Sequence, residues 1–267
     1  MRWRSALIVL VYILLASTAI AEDANPLRIR VLSYNIHHGE GTDGKFDLPR
    51  IAEVIKATNA DIVALQEVDE KTKRASGVDQ AAELGKLTKM HHVFGKAMNF
   101  SGGAYGEAIL SRWKVEKTQN HELPYTKGNE PRSAISATIR IHDTGPLFLF
   151  IGTHLDHLPK NTDRLAQARK LNELFVSDTA LPTILIGDLN AEPKDEEIKI
   201  LREKWESAAE APGMKAAPTW PSDKPKLQID HILFRPAKQW RVIEVKVIDE
   251  KIASDHRPLL AVLEYVP

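Results

Sequence analysis

Apolar and polar residues alternate with a period of two along much of this chain, and with a period near 3.6 in only a few stretches. Arg28 to Ile36 reads as a strand carrying Ile29, Val31 and Leu32. Leu48, Ile51, Ala52 and Ile55 then repeat at helical spacing, with Asp47 where an N-cap belongs. Asp61 to Gln66 reads as a second strand, buried on both faces, and Gln80 to Leu87 as a helix. Strands are expected over His92 to Ala97, Glu107 to Ser111, Val115 to Leu123 and Arg132 to Ile141. Leu147 to Thr153 and Pro182 to Gly187 are largely continuous apolar runs, as central strands are. Between them Asp163 is placed to cap a helix with Leu165, Ala168, Leu171 and Phe175 on its apolar face. Asp195, Glu196 and Glu197 ahead of Lys204 suit the dipole of a short helix. Residues 206–226, rich in Ala, Pro and Lys, read as a loop. Ile229 to Phe234, Trp240 to Ile248 and Leu259 to Tyr265 close the chain as strands. Many strands with few helices predict an α/β (α+β) domain, built on one large mixed sheet or two packed sheets with helices outside. No repeat is visible in the sequence.

Composition alters this picture only at the N-terminus. Arg2 and Arg4 precede an apolar run from Ala6 to Ala16, and Ala19-Ile20-Ala21 supplies small residues before Glu22. That is the form of a signal peptide over residues 1–21, followed by one domain over residues 22–267, in a secreted or periplasmic protein. The alternative is an anchor that stays attached. The run is short for a spanning helix, and no later segment is apolar enough to cross a bilayer, so no stable membrane insertion is expected after the signal is removed. The chain has no cysteine, which excludes disulfides, thiolate zinc sites and iron–sulfur clusters. Its formal net charge is zero and it lacks a basic block, so a tight grip on duplex nucleic acid is not expected; weak, metal-assisted cleavage stays open. A monomer is expected.

Chemistry concentrates where strand-like runs meet loops. Asn35, Glu67, His154, Asp188 with Asn190, Asp230, and Asp255 with His256 all stand at such junctions. Sheets with parallel strands place ligand sites at strand ends, so these groups suggest one convergent site. Carboxylate, amide and imidazole together suit a hard divalent cation and a phosphate ester. Taken singly, each residue has a plainer reading: Glu67 as a solvated acid, Asn35 as a strand-end cap, Asp188 as a turn residue, and each His as a structural ring.

Their order and spacing decide between these readings. Leu65-Gln66-Glu67-Val68, Gly187-Asp188-Leu189-Asn190 and Ser254-Asp255-His256-Arg257-Pro258 resemble, in sequence, the motifs of the endonuclease/exonuclease/phosphatase family, the pancreatic deoxyribonuclease-like superfamily. The resemblance spans Val31 to Val262. It implies a four-layer α/β sandwich, two packed mixed β-sheets flanked by helices. It also implies a hydrolase that uses Mg²⁺ (or Mn²⁺) and cleaves phosphodiester or phosphomonoester bonds by in-line attack of water. By resemblance, Glu67, Asn35 and Asp255 form the metal site. Asp188 orients or deprotonates the attacking water, Asn190 donates its amide to the phosphate or assists a second metal, His154 and His256 contact the phosphoryl oxygens, and Asp230 fixes the His256 tautomer. Arg132 either reaches the phosphate or forms a strand-edge ion pair. His157 and His231 read as structural or outer residues. Glu107 departs from the family's Gly-Asn-Ala; facing the cleft, it would weaken anion binding or add a metal ligand. His37-His38-Gly39-Glu40-Gly41 either lines the site mouth or is a plain loop. A nuclease-like substrate is the first expectation, with a sphingomyelinase-like lipid or inositol-phosphate phosphodiesterase as the alternative. From another class, a non-catalytic binding module could keep the fold, but it would be expected to lose some of these acids or the last His.

Overall fold

Strand parity decides the architecture. The computed structural model describes residues 26–142, 144–176, 181–215 and 217–267, so the expected signal peptide lies outside the described residues. In β1 (Arg28–Asn35), Ile29 and Val31 lie in one apolar cluster while Leu32 and Tyr34 lie in another. The first cluster joins Ile62, Ala64 and Ile109 to Ile135, Phe148, Phe150, Ile184, Ile186 and Ile232, and is the interior between two sheets. The second sits under α1 (Leu48–Thr58) and α2 (Gln80–Thr88) through Ile51, Ile55 and Leu84. A third, with Leu171, Phe175, Ile198, Leu201 and Trp205, lies under α3 (Thr162–Val176) and α4 (Glu196–Arg202). The order helix, sheet, sheet, helix is the expected four-layer sandwich.

The other strands are β2 (Ile62–Glu70), β3 (His91–Phe100), β4 (Gly103–Ser111), β5 (Val115–Glu122), β6 (Ser133–Arg140), β7 (Leu147–His154), β8 (Thr183–Asp188), β9 (Glu206–Ser207), β10 (Asp230–Arg235), β11 (Trp240–Val247) and β12 (Leu259–Tyr265). One sheet runs β11-β12-β1-β2-β4-β3 and the other β5-β6-β7-β8-β10-β9, six strands each. Each contains one parallel pair: β1 with β2 and β7 with β8. Each parallel pair is joined across a helix, α1 in the first half and α3 in the second, as a parallel connection requires. A structural repeat thus exists where the sequence shows none.

The expected elements form, with local differences. Asp47 caps α1 by accepting from Arg50 N at 2.9 Å, worth about 1 kcal/mol. Asp163 is not the cap of α3; it lies inside the first turn and accepts from Thr126 N, Thr126 Oγ1 and Asn129 Nδ2, tying the preceding loop to the helix. The 206–226 segment is not all loop, because Glu206–Ser207 adds a short edge strand to β10. Among the described residues, no helix is long and apolar enough to cross a membrane.

Candidate active site

The parity that fills the interior also carries polar groups to one rim of it. Continuing Ile29, Val31 by twos reaches Ser33 and Asn35; Ile184, Ile186 reach Asp188; Phe148, Phe150 reach Gly152 and His154. Registry completes the row, since Asp188 pairs with His154 on one side and with Asp230 on the other. Asp230 opens β10, and Asp255 and His256 precede β12, so these three stand at strand starts rather than strand ends. β10 runs antiparallel to β8 and β12 antiparallel to β1, which brings their starts to the same rim.

Glu67 breaks the parity. Ile62 and Ala64 face the interior, so residue 67 in a regular strand would face the helices. A bulge between Leu65 and Val68 in the β2–β4 pairing, with Glu67 at φ +59°, turns it to the rim instead. A left-handed conformation at a non-glycine residue is costly, and bulges are common where a strand must re-aim a side chain. Gly187 serves the neighbouring strand, because a Cβ there would lie 2.0 Å from the Thr153 carbonyl oxygen.

These groups meet. Asn35 Nδ2 donates to Glu67 Oε1 (3.0 Å) and to Asp188 Oδ2 (3.1 Å), linking the two sheets. Asp188 Oδ2 lies 3.5 Å from both His154 Nε2 and His256 Nε2. His256 Nδ1 is 3.0 Å from Asp230 Oδ2. The Asn190 backbone N donates to Asp188 Oδ1 (2.9 Å), and its amide nitrogen donates to the Leu155 carbonyl (3.1 Å) and lies 3.0 Å from His154 Nε2. Ser254 Oγ donates to the Asn35 carbonyl (2.7 Å), fixing the Asp255-His256 segment against β1. Trp220 Nε1 donates to Asp255 Oδ2 at 3.2 Å.

All of this opens into a cleft of about 660 Å³ lined by Glu67, His154, Asp188, Asn190, Asp255, His256 and Arg132, with Phe100, Tyr105, Leu158 and Trp220 on its walls. Arg132 is buried, and its two terminal nitrogens are engaged: it pairs with Glu130 (2.9 Å) and donates to Nδ1 of His154 and of His157, each at 3.1 Å. His157 therefore joins the site through Arg132; its place in Thr-His-Leu-Asp-His, three residues past a buried strand, was the available signal. His231 points elsewhere, its Nε2 against the Ala191 carbonyl (2.8 Å). Glu107 does not face the cleft. It is fully buried, accepts from Ser133 Oγ at 2.6 Å, and burial pushes its carboxyl up to about 8.

Electrostatics separates the two central acids. Burial disfavours the charged form of Glu67, but the nearby His38, His154, Asn35 and His37 outweigh it and hold the carboxyl well below its usual range. Burial pushes Asp188 up, to about 7, against the pull of His256 and with the help of Asp230. His256 is also buried, yet Asp230 and Asp188 raise it to about 10. Burial and the Arg132 charge keep His154 far below its usual value. An ionised, partly open carboxylate at Glu67 and the Asp255 carboxylate on the same cleft offer the oxygens that fit a hard divalent ion, whereas Asn35, whose Nδ2 faces Glu67 and Asp188 and whose Oδ1 accepts from His37 N (3.0 Å), orients Glu67 rather than offering an oxygen to the cleft. Asp188, Asp230 and His256 also lie within metal-binding distance of one another, but the Asp230–His256 hydrogen bond already occupies the ring nitrogen nearest Asp230.

A model of the Endonuclease/Exonuclease/phosphatase family matches residues 32–256. The chain is 26% identical over 246 residues to the uncharacterized protein YbhP of Escherichia coli (strain K12), covering 87% of this chain and 94% of that protein. It is 27% identical over 222 residues to a 5'-tyrosyl-DNA phosphodiesterase of Caenorhabditis elegans, covering 78% of this chain and 56% of that protein. Among solved structures, a mannosyl-6-phosphatase of Bacteroides thetaiotaomicron superposes with a TM-score of 0.72 at 22% identity, covering 90% of this chain and 100% of that one.

Proposed function

This chain belongs to the Endonuclease/Exonuclease/phosphatase family, whose members are phosphoesterase hydrolases, and from that premise we propose that it hydrolyses small phosphate esters with a divalent cation held at Glu67. Glu67, oriented by Asn35, and Asp255 would hold Mg²⁺ or Mn²⁺, which when bound supplies neutralisation of charge on the reacting phosphoryl group. Asp188, buried and more basic than an ordinary carboxylate, accepts the proton of the attacking water. His256, kept cationic by Asp230 and Asp188, presents its Nε2 hydrogen to a phosphoryl or leaving oxygen. Neutral His154, buttressed by Arg132, and the Asn190 amide face the same oxygens. Donors fixed in advance act where charge builds in the transition state, which is the largest effect such a site offers.

The observation that carries this reading is the junction Glu67–Asn35–Asp188, which puts a cation ligand and a base on either side of one amide. Substrate size is read from the cleft. Its volume is that of a small-molecule site. Its arginines are committed internally: Arg74 to Asp69, Arg132 to Glu130 and Arg164 to Glu197. They form no stripe for a nucleic acid backbone, which moves the reading from the nuclease-like expectation toward small esters. The matched mannosyl-6-phosphatase and tyrosyl-DNA phosphodiesterase act on a phosphate monoester and a phosphodiester by name, and both classes are within reach of this site. The N-terminal residues support export with removal of the leader, which N-terminal sequencing of the purified protein tests.

A hydrolysis panel tests the function: p-nitrophenyl phosphate, its bis-ester, sugar phosphates, a short oligonucleotide, plasmid DNA and sphingomyelin, each with Mg²⁺ and with EDTA. The expected result is EDTA-sensitive hydrolysis of small esters, with Glu67→Gln weakened at limiting Mg²⁺. Preferred cleavage of plasmid DNA or sphingomyelin would overturn the small-ester reading, and no hydrolysis of any kind would overturn the function.

A further inference from the structure

The turn directly after β1 holds two imidazoles that the reaction above does not use. His37 and His38 both adopt φ +44°, a conformation that non-glycine residues seldom take. The turn is held there by Gly39 N on the Ile36 carbonyl (2.8 Å), Glu40 N on the His37 carbonyl (2.9 Å) and His37 N on Asn35 Oδ1 (3.0 Å). The effect is to stand both rings on the cleft wall beside Glu67. One ligand atom from each of His37, His38 and Glu67 lies within 4.8 Å of the other two, a spacing that small side-chain rotations close onto a single ion.

The contacts behind the rings point the same way. His37 Nδ1 lies 3.1 Å from the Glu40 carbonyl, and His38 Nε2 faces the Glu40 carboxylate at 3.5 Å. Glu40 therefore offers an acceptor to one nitrogen of each ring, leaving the opposite nitrogen with its lone pair free. For His38 that is Nδ1, which is buried without a hydrogen-bond partner among the described residues and sits 3.9 Å from Glu67 Oε2. A ring nitrogen donating to a carbonyl or carboxylate while the other stays open is the arrangement found behind metal-bound histidines. Glu67 is divided to match: Oε1 accepts from Asn35, and Oε2 faces His38.

We propose that His37, His38 and Glu67 form a second metal position, which takes a borderline ion such as Zn²⁺ or Co²⁺ and is bridged through Glu67 to the oxygen-lined position. Imidazole ligands select such ions over Mg²⁺, which prefers oxygen and water. The inference shares Glu67 with the proposed reaction but does not depend on any substrate, so metal uptake and hydrolysis can fail separately.

The test measures metal directly. Zn²⁺ is titrated calorimetrically into the purified protein with Mg²⁺ in excess, and Co²⁺ uptake is followed by visible absorption. Wild type is compared with His38→Asn and with the double variant His37→Asn, His38→Asn; asparagine tolerates the left-handed backbone better than most residues. Wild type is expected to bind one more Zn²⁺ than the double variant, His38→Asn to bind it on the order of 10–100-fold more weakly, and Co²⁺ to show the intense bands of a low-coordinate nitrogen site. Thermal unfolding confirms that each variant is folded. X-ray absorption at the zinc edge of the loaded wild type needs no variant and should show two imidazoles. Equal Zn²⁺ uptake by folded wild type and double variant, or an oxygen-only shell, would overturn the proposal.

Discussion

The two halves of the sandwich use one supersecondary scheme and arrive at opposite electrostatics. In the first half, β1–α1–β2 delivers Asn35 and Glu67 to the rim, and Glu67 is partly open, with 22% of its side chain exposed. In the second, β7–α3–β8 delivers His154 and Asp188, and Asp188 is 2% exposed. Histidines and an amide keep the first acid ionised; burial makes the second basic. Two carboxylates whose environments push their proton affinities apart are suited to two roles, one to hold a cation and one to take a proton. The fold supplies the position in both halves, and local solvation supplies the role.

The largest expected effect comes from removing the basic side. Asp188→Ala should lower kcat by about 10³-fold or more, because it removes the base and leaves both imidazoles facing a void. Steady-state kinetics on an activated phosphodiester reads it, with the unfolding transition as a control; a loss under ten-fold would break the division of roles. Asp230→Asn should cost less, about 10–100-fold in kcat, since His256 keeps its place but loses the charge that holds it cationic. The same variant should shift the alkaline limb of the pH–rate profile downward, because the folded-state value of His256 falls when Asp230 is neutral. An unshifted limb would assign that limb to another group.

The smallest effect tests the interior rather than the site. Burial raises the folded-state value of Glu107 above its unfolded one. The sign follows: its contribution is most favourable below the unfolded value near 4.5, and stability is lost as pH rises toward about 8. Glu107→Gln should keep an acceptor for Ser133 Oγ and flatten this slope, gaining on the order of 2 kcal/mol over wild type at pH 8 and little at pH 4.5. Denaturant unfolding at the two pH values measures it; parallel pH profiles would contradict it.

Much of the fold and part of the site were legible in the sequence, and the reason is the period of two. Asn35, His154 and Asp188 each continue an interior-facing series, so the same residues that predict a strand also predict where its last side chain points. Glu67 was found by its motif and its place just past a strand-like run, not by parity, which is wrong there and is corrected only by a bulge. Bulges leave little mark in sequence when no glycine is present. Of the two readings of Arg132, phosphate contact or ion pair, the structure shows an ion pair with Glu130, and the further contacts to His154 and His157, up to 25 residues away, are ones that periodicity does not connect. Asp163 looked like a cap because caps and loop ties use the same acid; Thr126 and Asn129, distant in sequence, decide between them. Trp220, inside a stretch read as loop, reaches Asp255 in the same way.

The most direct measurement is the Mg²⁺ dependence of hydrolysis for wild type, Glu67→Gln and Asp188→Asn side by side. Glu67→Gln should raise the Mg²⁺ concentration for half-maximal rate at least about ten-fold and recover much of its rate at saturation. Asp188→Asn should leave that concentration within about three-fold of wild type while its plateau falls about 10³-fold. If the two variants instead change the same parameter, or if wild-type hydrolysis is indifferent to Mg²⁺ and EDTA, the separation of a cation-holding half from a proton-accepting half is wrong.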